Sequence, residues 1–71
     1  MKNPAEIKAF AIHLRVLREK AGLSQQELAD LADISKMTIQ RIENAKYIVT
    51  LDTLVNIASA LQIPLKKLVD F

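Results

Sequence analysis

Few residues in this 71-residue chain could take part in bond-making chemistry. Cysteine is absent, which removes a thiolate nucleophile, a disulfide framework and a sulfur-ligated metal site together. His13 is the one histidine, and no serine and carboxylate stand around it as a nucleophile and its orienting acid would. A single glycine cannot build a phosphate-cradling loop. No catalysis, metal or cofactor is expected from such a set. What the chain does carry is a group of hydrogen-bond donors close together in sequence, Lys36, Gln40 and Arg41. Side chains of this kind bind rather than react.

Length and composition bound the elements that must position them. The chain is read as one domain, residues 1–71, because separate cores need more chain. Apolar residues make up 51%, but only Phe10, Tyr47 and Phe71 are aromatic, so the core is expected to consist of Ile, Leu, Val and Ala. Ten Lys or Arg against eight Asp or Glu give a net charge of +2, too modest to identify a partner without knowing where the charges sit. No apolar run approaches the roughly 20 residues of a membrane span. The start, MKNPAEIKAF, lacks the apolar centre of a signal peptide. The absence of cysteine fits a reducing compartment, and a cytoplasmic location is expected.

One glycine and two prolines mark helix ends rather than hairpins. Asn3-Pro4-Ala5-Glu6 has the pattern of a cap, a first-position proline and a glutamate able to reach back. Ile7, Phe10, Ala11, Leu14, Leu17 and Ala21 then form one apolar stripe, and Gly22 can end the helix in a left-handed conformation. Ser24-Gln25-Gln26-Glu27 is a capping box opening a helix through Leu28, Ala29, Leu31 and Ala32. After a break at Asp33, Ser35 caps a third helix to about Asn44, with Thr38, Ile39 and Ile42 inward. Residues 45–49 have no helical pattern. Thr50 caps a fourth helix containing Leu51, Leu54, Val55, Ile57, Ala58 and Leu61, and Pro64 starts a short fifth with Leu65, Leu68 and Val69. The prediction is an all-α, five-helix domain over one core. Five short helices should leave little room for a pocket of about 300 Å³ or more.

Only two or three residues separate the second and third helices, so the pair must cross steeply. Ala29 suits the close approach, and Ile39 and Ile42 supply apolar support. The runs Leu23-Ser24-Gln25-Gln26-Glu27-Leu28-Ala29 and Ile34-Ser35-Lys36-Met37-Thr38-Ile39-Gln40-Arg41-Ile42-Glu43-Asn44 resemble the Cro/C1-type (XRE) helix-turn-helix family, which includes lambdoid phage repressors and many bacterial regulators. Residues 50–61 resemble that family's fourth helix, and the likeness covers about residues 10 to 69.

The resemblance implies a lambda-repressor-like domain that binds double-stranded DNA as a small transcriptional regulator, with helix 36–44 in the major groove. It places Lys36, Met37, Gln40 and Arg41 against base edges, where Lys and Arg can donate to guanine, glutamine can pair with adenine and Met37 can meet a thymine methyl. It places Gln25, Asn44 and Lys46 on phosphates, which fix register without reading sequence. It assigns Arg18 and Glu43 to a buried ion pair. The chain departs from the family pattern at two turns, with Asp33 and Ala45 where glycine is usual.

Bland alternatives exist for each assignment. Lys36, Gln40 and Arg41 have the composition of a solvated helix face, Met37 could fill a gap at the core edge, and Gln25 could simply belong to its cap. A homodimer through the C-terminal helix, using Leu65, Leu68, Val69 and Phe71, is expected from the small size and from the paired half-sites such regulators read. Leu68 and Phe71 could instead cover the protomer core. The rival function is an antitoxin or other protein-interaction module on the same fold.

Overall fold

The structure, a computed structural model, describes residues 3–46 and 48–71. It consists of α1 (Pro4–Lys20), α2 (Gln25–Ala32), α3 (Lys36–Glu43), α4 (Leu51–Ala60) and α5 (Leu65–Leu68), with no strand among the described residues. Three helix starts are fixed by the side chains the sequence singled out. Ser24 Oγ accepts from the Glu27 amide at 3.0 Å, and Glu27 accepts from the Ser24 amide at 2.8 Å, closing the capping box. Those bonds hold the Glu27 carboxyl below its ordinary pKa, the backbone bond from Ser24 contributing most. Ser35 and Thr50 cap α3 and α4 through bonds of 3.1 and 3.2 Å from Thr38 and Thr53. Asn3 makes no side-chain cap bond, so α1 starts on the fixed φ of Pro4 instead.

Four helices end alike. Gly22, Asp33, Ala45 and Gln62 all have positive φ, between 56° and 73°. In each case the next amide reaches back five residues: Leu23 to Arg18, Ile34 to Ala29, Lys46 to Arg41 and Ile63 to Ala58. This closure satisfies carbonyls that the helix leaves open, and it favours an apolar residue just after the left-handed position. Leu23, Ile34 and Ile63 meet that requirement and pack against the core. Lys46 does not; it is exposed.

α2 packs on both α3 and α4, α1 lies on α3, and α5 closes against α4. Leu14, Leu28, Ile39, Ile42, Ile57 and Leu68 are the largest fully buried side chains. Ala29 is also fully buried, at the approach of α2 to α3, and the amide of Ile34 caps its carbonyl at 3.0 Å. A larger residue at position 29 would force the helix pair apart.

Several sequence expectations need correction. Ala21 lies past the end of α1 and is exposed. Leu31, Leu51 and Val55 face solvent, so their apolar character does not serve the protomer core. Pro64 precedes α5 as its cap rather than forming its first turn. Leu68, expected at a dimer contact, is buried inside the protomer, because the single turn of α5 points it at the core. Tyr47 lies outside the described residues.

Candidate nucleic-acid interface

The site begins with how α3 is held. Ile39 and Ile42 sink fully into the core beneath it, which rotates the opposite face outward. That face carries Lys36, Met37, Gln40 and Arg41, all exposed, with Met37 56% exposed. Lys36 and Gln40 form one i, i+4 row and Met37 and Arg41 the neighbouring one, so the four make a continuous strip. Such exposure rules Met37 out of the core edge. Residues 36–42 contain no acid.

The single acid of α3, Glu43, is withdrawn. Its side chain is fully buried, and Arg18 from α1 donates to it twice, from Nε at 2.7 Å and Nη2 at 3.1 Å. Arg18 Nη1 also caps the Leu23 carbonyl at 2.9 Å. Burial alone would push Glu43 up, but the bonds from Arg18, Gln25 and Arg15 outweigh it and hold the carboxyl below its ordinary range. The same bond to Glu43 raises the Arg18 guanidinium. Among the described residues, no buried side-chain polar atom lacks a partner. The pair expected at Arg18 and Glu43 is therefore present, and it neutralises the one negative charge that would otherwise lie behind the basic strip.

The phosphate candidates lie at the ends of the helix pair. Gln25 is the first residue of α2, but its Nε2 donates to Glu43 Oε1 at 3.0 Å. The side chain thus belongs to the ion-pair network, a role the sequence did not suggest; the second amide hydrogen is left for another acceptor. Asn44 caps the end of α3, and Lys46 follows the left-handed Ala45, both exposed. Arg15 is a further member that sequence inspection missed, with Nε at 3.3 Å from Glu43 Oε1. Its position three residues before Arg18, one helical turn, was the available signal.

A second feature runs against the expectation of little room for a pocket. An open apolar groove of about 590 Å³ is lined by Ile7, Phe10, Ile42, Val49, Leu54 and Phe71, among others. It has little polar equipment, and among the described residues no cluster of His, Cys, Asp or Glu could hold a metal.

Residues 14–68 match the helix-turn-helix family HTH_3. The chain belongs to this Cro/C1-type family. A protein of Pyrococcus furiosus, named as an HTH-type transcriptional regulatory protein, is 37% identical over 57 residues, or 80% of this chain. The match spans only 18% of that protein's length. The restriction-modification controller protein C.AhdI of Aeromonas hydrophila superposes with a TM-score of 0.88 at 33% identity, covering 90% of this chain and 97% of the other. An HTH_3 family transcriptional regulator of Vibrio cholerae gives 0.87 at 30% identity, covering 93% and 37%. The clp gene regulator ClgR of C. glutamicum, at 22% identity and a TM-score of 0.81, shares the fold over 89% of this chain and 82% of its own.

Proposed function

We propose that this helix-turn-helix domain binds double-stranded DNA in a sequence-specific way as part of a transcriptional regulator, with α3 in the major groove. The observation that carries the proposal is the strip on α3: four exposed side chains, two of them cationic, on a helix whose only acid is buried against Arg18. Lys36 and Arg41 can donate to the O6 and N7 acceptors of guanine, Gln40 can pair with adenine, and Met37 can contact a thymine methyl. The similarity to C.AhdI and to the Vibrio cholerae regulator supports the assignment.

Lys46 and Asn44 are assigned to phosphate. Lys46 occupies the one helix-end position of its kind in this fold that breaks the apolar rule, and a solvated cation there has a use if it meets an anion. Gln25 is assigned to the opposite strand's backbone through the amide hydrogen that Glu43 does not take. The compared proteins are named as transcriptional regulators or a controller protein, and no catalytic role is proposed. A cytoplasmic location is proposed, in line with a DNA target. Among the described residues, no helix is long and apolar enough to cross a membrane.

Two copies are proposed to act together on a palindrome, with half-sites about one turn, roughly 34 Å, apart. The contact differs from the one expected of the C-terminal helix, since Leu68 is unavailable and Leu65 is half-buried. Val69 at 43% exposure and Phe71 at 50% share the apolar groove with Ile48 at 65%. An exposed apolar patch of this kind on a small domain marks an association surface. Fluorescence anisotropy of labelled duplexes tests the proposal. Affinity for a selected duplex at least a thousandfold above random duplex supports it, and indistinguishable affinities refute base reading. The same titration with no binding at all would favour a protein partner in the groove instead.

A further inference from the structure

The geometry points to Arg15 as a phosphate-binding residue on the α1 side of the interface, acting with Gln25; this rests on the DNA-binding proposal above. The argument starts from a count of charges around Glu43. One buried carboxylate faces two guanidiniums, Arg18 and Arg15. Arg18 alone fulfils the structural need. It is nearly buried, bonds both oxygens of the carboxylate and uses its remaining Nη on the Leu23 carbonyl. Arg15 therefore brings a positive charge that the core does not require.

Its placement is also unlike that of a structural partner. The Arg15 side chain is 49% exposed and touches Glu43 through Nε alone, at 3.3 Å. That single bond orients the guanidinium while its Nη1 and Nη2 atoms, the fork that matches a phosphate, stay uncommitted to Glu43. The oxygen it touches, Oε1, is the one that accepts from Gln25 Nε2 at 3.0 Å. Arg15 and Gln25 thus share one acceptor atom, which the buried Arg18 side chain also bonds through Nη2, and they are close enough for a single phosphodiester group to meet both. Gln25 has a second amide hydrogen and Arg15 has the net charge of the cluster. The pair supplies a donor fork plus an uncompensated cation, which is what a backbone phosphate takes and a base edge does not require.

The test is the salt dependence of duplex binding for the intact chain, Arg15→Ala and Lys66→Ala. Lys66 lies exposed on α5 and its loss changes net charge equally. Arg15→Ala should lower the slope of log affinity against log salt by about one unit and weaken specific and random duplexes alike. Lys66→Ala should leave the slope unchanged. Circular dichroism should show Arg15→Ala folded, because the Arg18 pair remains. An Arg15→Ala slope equal to that of the unmodified chain overturns the assignment, as does an equal drop for Lys66→Ala, which would make the effect one of net charge. No salt-dependent binding by the unmodified chain would overturn the DNA-binding proposal, and this assignment with it.

Discussion

Gln25 begins α2 and Glu43 ends α3, and a hydrogen bond of 3.0 Å joins them. The two outer ends of the helix pair are therefore tied together, while Ala29 is fully buried in the core. Arg18 joins the same carboxylate from α1. The exposed strip on α3 is held by one buried charge and the donors gathered on it, so the DNA binding proposed for that strip should be sensitive to Glu43.

Removing either member of the pair leaves the other buried without its counter-charge. Arg18→Met should cost on the order of 3–5 kcal/mol, most of the stability of a domain this size. The double variant Arg18→Met, Glu43→Leu removes both charges and should recover much of that loss. Chemical denaturation of the two single variants and the double measures the coupling. Additive losses would show that Arg18 and Glu43 are not energetically coupled.

Acid should weaken the fold in a defined window. Glu43 is held below its ordinary value of about 4.5, so the unfolded chain takes up its proton at a higher pH than the folded one. The stabilisation is fully present above that ordinary value and is lost as pH falls through the folded one. Stability measured from pH 7 down to 3 should drop below about pH 4.5, and Glu43→Gln should flatten part of that drop.

Ala45 holds a φ of 58° with no side-chain group to ease it. Alanine in this conformation costs roughly 1 kcal/mol more than glycine. Ala45→Gly should therefore raise the melting temperature by several degrees, a shift thermal denaturation resolves readily. A lower melting temperature would mean that the entropy of the unfolded chain dominates at this turn.

The proposed base-reading and phosphate roles predict different effects of mutation. Arg41→Ala should cost about 1–3 kcal/mol on the preferred duplex and relax the preference at one base pair. Lys46→Ala should weaken every duplex alike and reduce the salt slope by about one unit. Anisotropy titrations on matched and single-mismatch duplexes distinguish the two patterns.

The proposed association surface has its own test. Ile48→Asp places a charge on an exposed residue of the groove and should weaken self-association at least tenfold, about 1.4 kcal/mol, without unfolding the protomer. Sedimentation equilibrium over a range of concentrations gives the constant directly. An unchanged association constant would place the two-fold contact elsewhere.

The helix starts were legible in the sequence because a cap is a local event: Ser24 and Glu27 satisfy each other three residues apart, and Ser35 and Thr50 act on amides equally near. The outward strip on α3 came from the family resemblance, and the burial of Ile39 and Ile42, which fixes the phase of the helix, accounts for it. The shared family pattern extended that to the Arg18–Glu43 pair. Elsewhere residue type alone misled. Leu68 sits in a helix of four residues, too short for periodicity to choose a face. Leu31, Leu51 and Val55 are apolar but exposed, and only the docking of other helices decides that. The groove draws Ile7, Ile42, Val49 and Val69 from distant parts of the chain, so no local pattern announces it. Gln25 looked like a cap or a phosphate ligand because its partner lies 18 residues away.

The most direct test of sequence-specific binding is selection from a random duplex pool at near-physiological salt. A palindrome with half-sites one helical turn apart is expected, and Arg41→Ala should lose preference at one position of each half. A folded protein that enriches no sequence would contradict the account.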